Sequence, residues 1–369
     1  MKIQVERKVF AKALAEVAPF APVKAPISVL KNAKFTTSGK MLTIEANDTQ
    51  CAIIKEIPML ECDADGEFLL EIADLNKFIT KIKGETIEIE VINNNALIKH
   101  SKGKAEYPVI EARDFPVFSM PKEDMKELFV QPSILADAIN KAKGFVATDE
   151  VRPQMGAIYA YVENGKKIGF CGSDTRRLIH LWFDVENAET GDVNWLIMPK
   201  AFSAIMNACK TATSVKVQIS GKHVAYQIGD TLIQTVQANG AFPNFQRVIP
   251  TEWVMECAVD KFDLIDALGR VALFCDKTEC VKMIITRMDM SLQVNNIEFM
   301  KRTEETLAHS GCNGETQIGV SVVNAIAAIG AFTGGEILLR IISENKPILM
   351  TQQGNDRLQV IVMPLQLLN

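Results

Sequence analysis

The sequence predicts an α+β protein built from three copies of one module, in the order helix, strands, helix, strands. The pattern is plainest in the middle of the chain. Residues 197–209 form a helical run with Phe202, Ile205, Met206 and Cys209 on one face at 3.6-residue spacing. Residues 214–219 then alternate strictly, Ser220-Gly221 turns the chain, residues 224–228 and 232–236 return as strands, and Phe242-Pro243 closes the unit. The same order recurs upstream as a helix over 73–83, a strand over 86–91, an Asn93-Asn94-Asn95 turn, another strand and Phe115-Pro116. Downstream it recurs as a helix over 320–332, a strand over 336–341, a Ser343-Glu344-Asn345 turn, a strand and Met363-Pro364.

A further helix opens each third. Residues 7–18 place Val9, Phe10, Ala13, Leu14 and Val17 on one side, with Arg7, Lys8 and Lys12 elsewhere. Its counterparts span 133–143, after Gln131-Pro132, and 260–274, where Asp260 is the candidate N-cap. Sheet-rich blocks follow over 27–59, 157–185 and 281–309, with turn signals at Ser38-Gly39-Lys40, Asn164-Gly165 and Asn295-Asn296. A spacing of about 120 to 130 residues is too long for a solenoid repeat and fits triplication of a whole domain. The Pro-containing stretches 117–130 and 247–257 read as connectors, so the expected domains are 1–120, 121–250 and 251–369.

With 48% apolar residues in a chain of 369, each third can bury its own core. The N-terminus lacks a signal-type apolar stretch, and no run approaches the roughly 20 apolar residues of a membrane span. A cytoplasmic protein without a membrane partner is therefore expected. The eight cysteines lie scattered in apolar runs with no C-x-x-C pair, which reads as reduced core thiols. None of the four histidines has an i, i+4 partner, so no metal site or cofactor is expected. Gly172-Ser173-Asp174 lacks the nucleophile-elbow pattern, and neither a Walker motif nor a dinucleotide fingerprint is present. These absences argue against an enzyme, and no catalytic residue is assigned.

Charge is segregated. Over 7–18, 73–83, 133–143, 199–210, 260–270 and 320–332 the six predicted helices carry 12 Lys or Arg against 6 Asp or Glu, while the whole chain is −5. A basic helical surface on an acidic protein is an electrostatic footprint for nucleic acid that net charge alone would hide. The alternative is that these lysines only solvate the helix backs. The excess comes from the first two thirds: the sixth helix is uncharged, and Asp260, Asp263 and Asp266 make the fifth acidic.

The densest polar cluster is Ser173-Asp174-Thr175-Arg176-Arg177, between two strand-like runs, where a charged β-turn is the simplest reading. Residues 24–28 and 149–153 are polar loops at matching places in the first two thirds. Together with Pro26-Ile-Ser-Val-Leu30, Arg152-Pro153, Ser173-Asp174 followed by Arg177-Leu178, Phe242-Pro-Asn-Phe-Gln-Arg-Val-Ile-Pro250 and Val362-Met-Pro-Leu365, they give the whole chain a resemblance to the beta subunit (β sliding clamp) family of bacterial DNA polymerase III.

That resemblance implies DNA-clamp domains, each with two helices on an inner face and β-sheets on an outer face. Two chains would join head to tail as a ring around double-stranded DNA. The implied partners are DNA without sequence preference, the DNA polymerase III catalytic subunit, the clamp-loader complex, other proteins carrying a clamp-binding motif, and a second copy of the chain. DNA contacts are expected at Lys12, Lys24, Lys77, Lys83, Lys141, Arg152 and Lys200. Phosphate contacts carry no sequence information, so separated lysines attract a duplex without fixing a register.

The resemblance also implies a partner-peptide cleft made of Met155, Ser173, Thr175, Arg176, Arg177, Leu178, Pro243, Arg247, Val248, Val362, Met363, Pro364 and Leu365. Leu178, Val248, Val362 and Met363 would supply apolar walls, with Arg177 and Arg247 at the rim. A dimer interface is expected where Leu273 and Phe274 meet Tyr107, with Lys77 or Lys104 facing Glu304 and Glu305. Two departures bear on peptide preference. The family often has Gly-His where this chain has Thr175-Arg176, and it often ends soon after Met-Pro-Met-Arg-Leu, where this chain reads Met363-Pro-Leu-Gln-Leu-Leu-Asn369. The rival reading is a non-ring scaffold of three modules that binds peptides alone; a nucleic-acid-processing enzyme comes third, lacking an acidic metal cluster.

Overall fold

The helices of the computed structural model lie where apolar spacing puts them: α1 Arg7–Val17, α2 Ile72–Lys81, α3 Pro132–Ala142, α4 Pro199–Cys209, α5 Lys261–Ala272 and α6 Val322–Gly330. The structure describes every residue except 25–26, 149–150, 186–190, 297–299 and 368–369. Pro26, Asp149, Glu150 and Asn369, named above in loop and terminal motifs, therefore lie outside the described residues. Asp260 caps α5 as expected, its Oδ1 accepting the N–H groups of Phe262 (2.8 Å) and Asp263 (3.1 Å). The last helix starts later than its periodicity: Val320 and Ser321 finish the strand Thr316–Ser321, and the Ser321 hydroxyl then caps α6 by accepting the Asn324 N–H at 3.3 Å.

The chain divides into two units, Met1–Ala136 with Lys200–Gln237, and Asp137–Pro199 with Ala238–Asn369. In the first, an antiparallel sheet runs in the order Glu61–Cys62, Lys2–Glu6, Thr86–Ile92, Asn95–His100, Gly103–Pro108. A larger one runs Lys126–Val130, Val215–Ser220, His223–Ile228, Thr231–Val236, Cys51–Pro58, Met41–Asn47, Asn32–Ser38, Gly66–Glu71. In the second unit, an eight-stranded sheet runs Val193–Ile197, Ile158–Glu163, Lys167–Ser173, Arg177–Asp184, Asn355–Val362, Ile348–Gln352, Glu336–Ile341, Met255–Asp260. A four-stranded sheet there runs Lys301–Leu307, Met290–Asn296, Cys280–Ile285, Thr316–Ser321. The strands of the middle third are thus shared between the two large sheets. Pairings such as Ile233 with Ile53 and Leu178 with Ile361 join it to its neighbours in sequence.

In the first unit α1 buries Phe10, Ala13, Leu14 and Val17. Phe10 lies 6.4 Å from Phe35, which stacks on Phe68 at 5.2 Å. Lys55 is buried and braces the back of this layer, its Nζ 3.0 Å from Glu16 and 2.9 Å from both Asp230 and the Thr231 hydroxyl. Such a cation is tolerated inside only because its protons are all claimed.

Several strands escape the sequence reading, Gly66–Glu71, Gly103–Pro108 and Thr316–Ser321 among them. Lys2–Glu6 pairs with Thr86–Ile92, although its five residues gave no pattern long enough to stand out. Lys126–Val130 lies within the stretch read as the first connector, and Met255–Asp260 begins inside the second. Both are outermost strands of their sheets. Edge strands carry charge on their open side, and Lys126 and Glu127 conceal the inward alternation of Leu128 and Val130. Of the eight cysteines, Cys51, Cys171, Cys209 and Cys257 are buried and the other four are half-buried.

Candidate functional site: a peptide cleft, basic helices and two sheet edges

The polar cluster at 173–177 is the turn joining the strands Lys167–Ser173 and Arg177–Asp184, and its own side chains hold it. Asp174 Oδ1 accepts the backbone N–H groups of Arg176 (2.9 Å) and Arg177 (2.7 Å), while its Oδ2 pairs with Arg177 Nη2 at 2.7 Å and Nε at 3.0 Å. The buried Ser173 hydroxyl donates to the Arg177 carbonyl at 2.8 Å and accepts the Thr175 N–H at 3.2 Å. The turn closes through Thr175 at φ +73°, a left-handed conformation that disfavours a β-branched residue and suits the glycine often found there in the resembling family.

The strand Asn355–Val362 runs alongside, pairing Leu178 with Ile361 and Arg177 with Val362. Beyond it the chain stays pinned. Met363 donates to the Arg176 carbonyl (2.9 Å), and Leu365 donates to the Gly319 carbonyl (2.8 Å). A Cβ at Gly319 would sit 2.5 Å from the Leu365 carbonyl oxygen, so only glycine admits this contact. Phe245–Val248 forms a short 3-10 turn whose Phe245 inserts among Tyr161, Cys171, Leu178, Leu349 and Ile361.

This packing sorts the cleft residues. Met155, Ser173, Leu178 and Val362 are buried, so Leu178 and Val362 offer none of the open apolar wall expected of them. The open apolar surface belongs to Val248, 42% exposed, and Met363, 36% exposed, with Pro243 exposed and Pro364 and Leu365 half-covered. Arg177 is also corrected. Its guanidinium is held by Asp174 and donates to the Gly144 carbonyl at 3.1 Å above the Phe145 ring, so it braces the turn and is withdrawn from the rim. Arg176 and Arg247 remain exposed there, with no ion pair among the described residues, and Thr175 is exposed beside them.

The basic residues also divide. Lys12, Lys24, Lys77, Lys83 and Arg152 are exposed. Lys12 has the largely covered Glu16 at 3.9 Å, and Lys77 pairs with Asp74 at 3.0 Å on exposed helix surface, where such a pair holds a lysine only weakly. Lys200 is different: it pairs with Asp48, donates to the Phe20 carbonyl at 3.2 Å and lies over the Phe20 ring, so it serves as an internal brace. Lys141 is largely covered and tied to Asp137 at 2.7 Å. Sequence reasoning passed over Lys8, exposed on α1 one turn before Lys12; the i, i+4 spacing was there to be read. On α5 the exposed charges are Asp263, Asp266 and Arg270, and α6 exposes Val323.

Leu273, at the end of α5, is 79% exposed, which removes the possibility that it is core; Phe274 is half-buried. Tyr107 packs against Phe78 at 6.1 Å in Gly103–Pro108, the outermost strand of its sheet, and Lys104 is exposed on the same strand. Glu304 and Glu305 lie in Lys301–Leu307, also outermost. Glu305 pairs with Arg270 at 2.8 Å and Glu304 accepts from Gln293 at 2.8 Å, so neither waits unoccupied for Lys77 or Lys104. Among the described residues, no group of three His, Cys, Asp or Glu is placed to hold a metal ion, and no helix is long and apolar enough to cross a membrane.

Known proteins match along the whole chain. The family described as DNA polymerase III beta subunit, N-terminal domain, matches residues 1–119, and its C-terminal domain counterpart matches residues 246–366. The beta sliding clamp of Caulobacter vibrioides is 24% identical over 375 residues, covering 99% of this chain and 100% of that protein. That of Pseudomonas putida is 21% identical over 373 residues, with complete coverage of both. Among solved structures, a Pseudomonas aeruginosa sliding clamp bound to griselimycin superposes with a TM-score of 0.94 at 19% identity and full coverage of both chains. A C. crescentus beta sliding clamp superposes with a TM-score of 0.92 at 23% identity, covering 100% of this chain and 99% of that one. With both terminal domains matched and the clamp fold reproduced from end to end, the chain belongs to the DNA polymerase III beta subunit family, the beta sliding clamps of DNA replication.

Proposed function

We propose that two copies of this chain close head to tail into a ring around duplex DNA. The ring tethers the DNA polymerase III catalytic subunit, the clamp loader and other motif-bearing proteins through the cleft at Val248 and Met363. The chain itself turns over no substrate and works in the cytoplasm, with domains at 1–120, 121–250 and 251–369. The observation that carries the reading is that Gly103–Pro108, in the first third of the sequence, and Lys301–Leu307, in the last, are each outermost in their sheets, the second accompanied by the exposed Leu273. Unpaired edges invite strand addition. Joining one edge to the other in a second copy, twice over, closes a ring without leaving either open.

Lys8, Lys12, Lys24, Lys77, Lys83 and Arg152 supply the attraction for phosphate, and the acidic remainder of the chain discourages DNA from binding outside. At the cleft, Val248 and Met363 bury an aromatic or leucine side chain, while Arg176 and Arg247 meet its carboxylates or carbonyls. Native mass in solution tests the assembly: a value twice that of the chain supports the ring, and a monomer at micromolar concentration leaves the three-module scaffold.

A further inference from the structure

Two strand joints inside the chain serve as templates for the one between copies. At the first, Ile233 pairs with Ile53; at the second, Val360 pairs with Ile179. The repeat identifies their third counterparts by counting along paired strands. Val5, Val130 and Val259 pair with Ile87, Val215 and Ile337, and two residues on, Ile89, Val217 and Leu339 lie opposite Ile98, Tyr226 and Met350. Those three in turn lie opposite Ala105, Ile233 and Val360. On the other side of the joint, Ala46, Gly172 and Val294, each followed by an Asn-Asp, Ser-Asp or Asn-Asn step, close the inward apolar alternation of their strands. They lie opposite Ile53, Ile179 and Thr303. Ala105 and Thr303 are therefore the third pair, on Gly103–Pro108 and Lys301–Leu307, each outermost in its sheet.

The same pairing sets Lys104 opposite Glu304 and Glu106 opposite Arg302 of a second copy, with Tyr107 opposite Lys301. The faces agree, for Lys104, Glu106, Arg302 and Glu304 are exposed while Ala105 and Thr303 are half-covered. Side chains at this place do touch: His180 and Gln359, the counterparts of Glu304 and Lys104, meet at 3.2 Å. Pro108 holds the place of Val236 and Met363, whose N–H groups donate to the Gln50 and Arg176 carbonyls. Lacking an N–H, it ends the ladder at Tyr107.

These four charges are unmatched within one copy. Lys104 and Glu106 have no ion pair among the described residues, whereas Arg302 donates to Asn295 at 3.1 Å and Glu304 accepts from Gln293 at 2.8 Å, both neutral partners. At the two closed joints the same places hold Ile54 with Leu232, Ala52 with Gln234, Leu178 with Ile361 and His180 with Gln359, without an acid among them. Opposite charges across a strand pair attract and like charges repel, so a slip of two residues is penalised either way: it sets Lys104 against Arg302 or Glu106 against Glu304. A slip of one turns the faces over.

We propose that two crossed ion pairs, Glu106 with Arg302 and Lys104 with Glu304, set the strand register of the joint between copies, the occupant of each edge being a second copy of this chain. This rests on the ring reading above and adds to it the register and the Glu106 contact.

Charge reversals, alone and mixed, test it by sedimentation equilibrium. Glu106→Arg and Arg302→Glu each set like charges opposite one another at both joints, and each should raise the dimer dissociation constant about tenfold. Mixed in equal amounts, the two variants should form a dimer as tight as the wild type, because the reversed side chains meet in one joint and the native pair stands in the other. Lys104→Glu and Glu304→Lys repeat the test at the second pair. A mixture as weak as its parents, or a single reversal that leaves the dimer unchanged or tightens it, overturns the register while the ring stands. A wild-type protein that sediments as a monomer overturns the ring, and the register with it.

Discussion

Met363 donates its backbone N–H to the carbonyl of Arg176 at 2.9 Å, so the exit of the last strand and the turn after Ser173 form one continuous rim. Side chains on that rim are exposed, and the residues immediately behind it are sealed. Substitutions one position apart should therefore have opposite consequences.

Met363→Ala should weaken binding of a polymerase-derived motif peptide by about 1 to 3 kcal/mol, as for a buried anchor, and leave the unfolding midpoint unchanged. Val362→Ala, one residue earlier and fully buried, should instead cost about 2 kcal/mol of stability. Calorimetry and urea denaturation on the two proteins separate these effects.

Thr175→Gly should stabilise the protein by about 1 kcal/mol in the same denaturation assay, because it relieves a β-branched residue at φ +73°. The turn's hydrogen bonds are backbone or belong to Ser173 and Asp174, so none is lost with the threonine side chain.

Lys200→Ala should lower stability by about 1 to 2 kcal/mol through loss of the Asp48 pair and the Phe20 carbonyl contact, and should leave the salt dependence of DNA binding as it was. Lys8→Ala with Lys12→Ala should do the reverse. Each phosphate contact removed reduces the slope of log affinity against log salt by about 0.9.

Burial pushes the His180 imidazole down to about 4, between Tyr161 and Gln359. The folded value lies below the unfolded one of about 6.5, so the unfolded chain takes up the proton first. Stability from this residue is complete above about pH 6.5, declines as pH falls towards 4, and levels off below that, a loss of about 3 kcal/mol at most. Denaturation at pH 7 and 4.5 should show a smaller drop for His180→Gln than for the wild type.

Much of this architecture was legible because the helices repeat at 3.6-residue spacing and the hairpins alternate, as in α4 and the strand Val215–Ser220 that follows it. Position along an element was legible too; partnership was not. Lys200 and Lys12 look alike in sequence, yet Asp48, 152 residues away, claims one and only a weak helical neighbour touches the other. Arg177 looked like a rim residue until Asp174 and the Gly144 carbonyl were seen to hold it. The stacking of Tyr159 on Phe242 was hidden for the same reason, since a strand and a loop about 80 residues further along meet only in the folded chain.

The ring is tested most directly by retention on DNA. Loaded by the clamp loader with ATP onto nicked circular duplex, the protein should survive gel filtration at a salt concentration that abolishes direct binding, and should leave within minutes once the circle is cut. A closed ring needs no strong phosphate contact to stay on a circle, whereas an ordinary basic patch loses affinity with salt whatever the shape of the DNA. Equal loss from circular and linear DNA at the same salt would contradict encirclement.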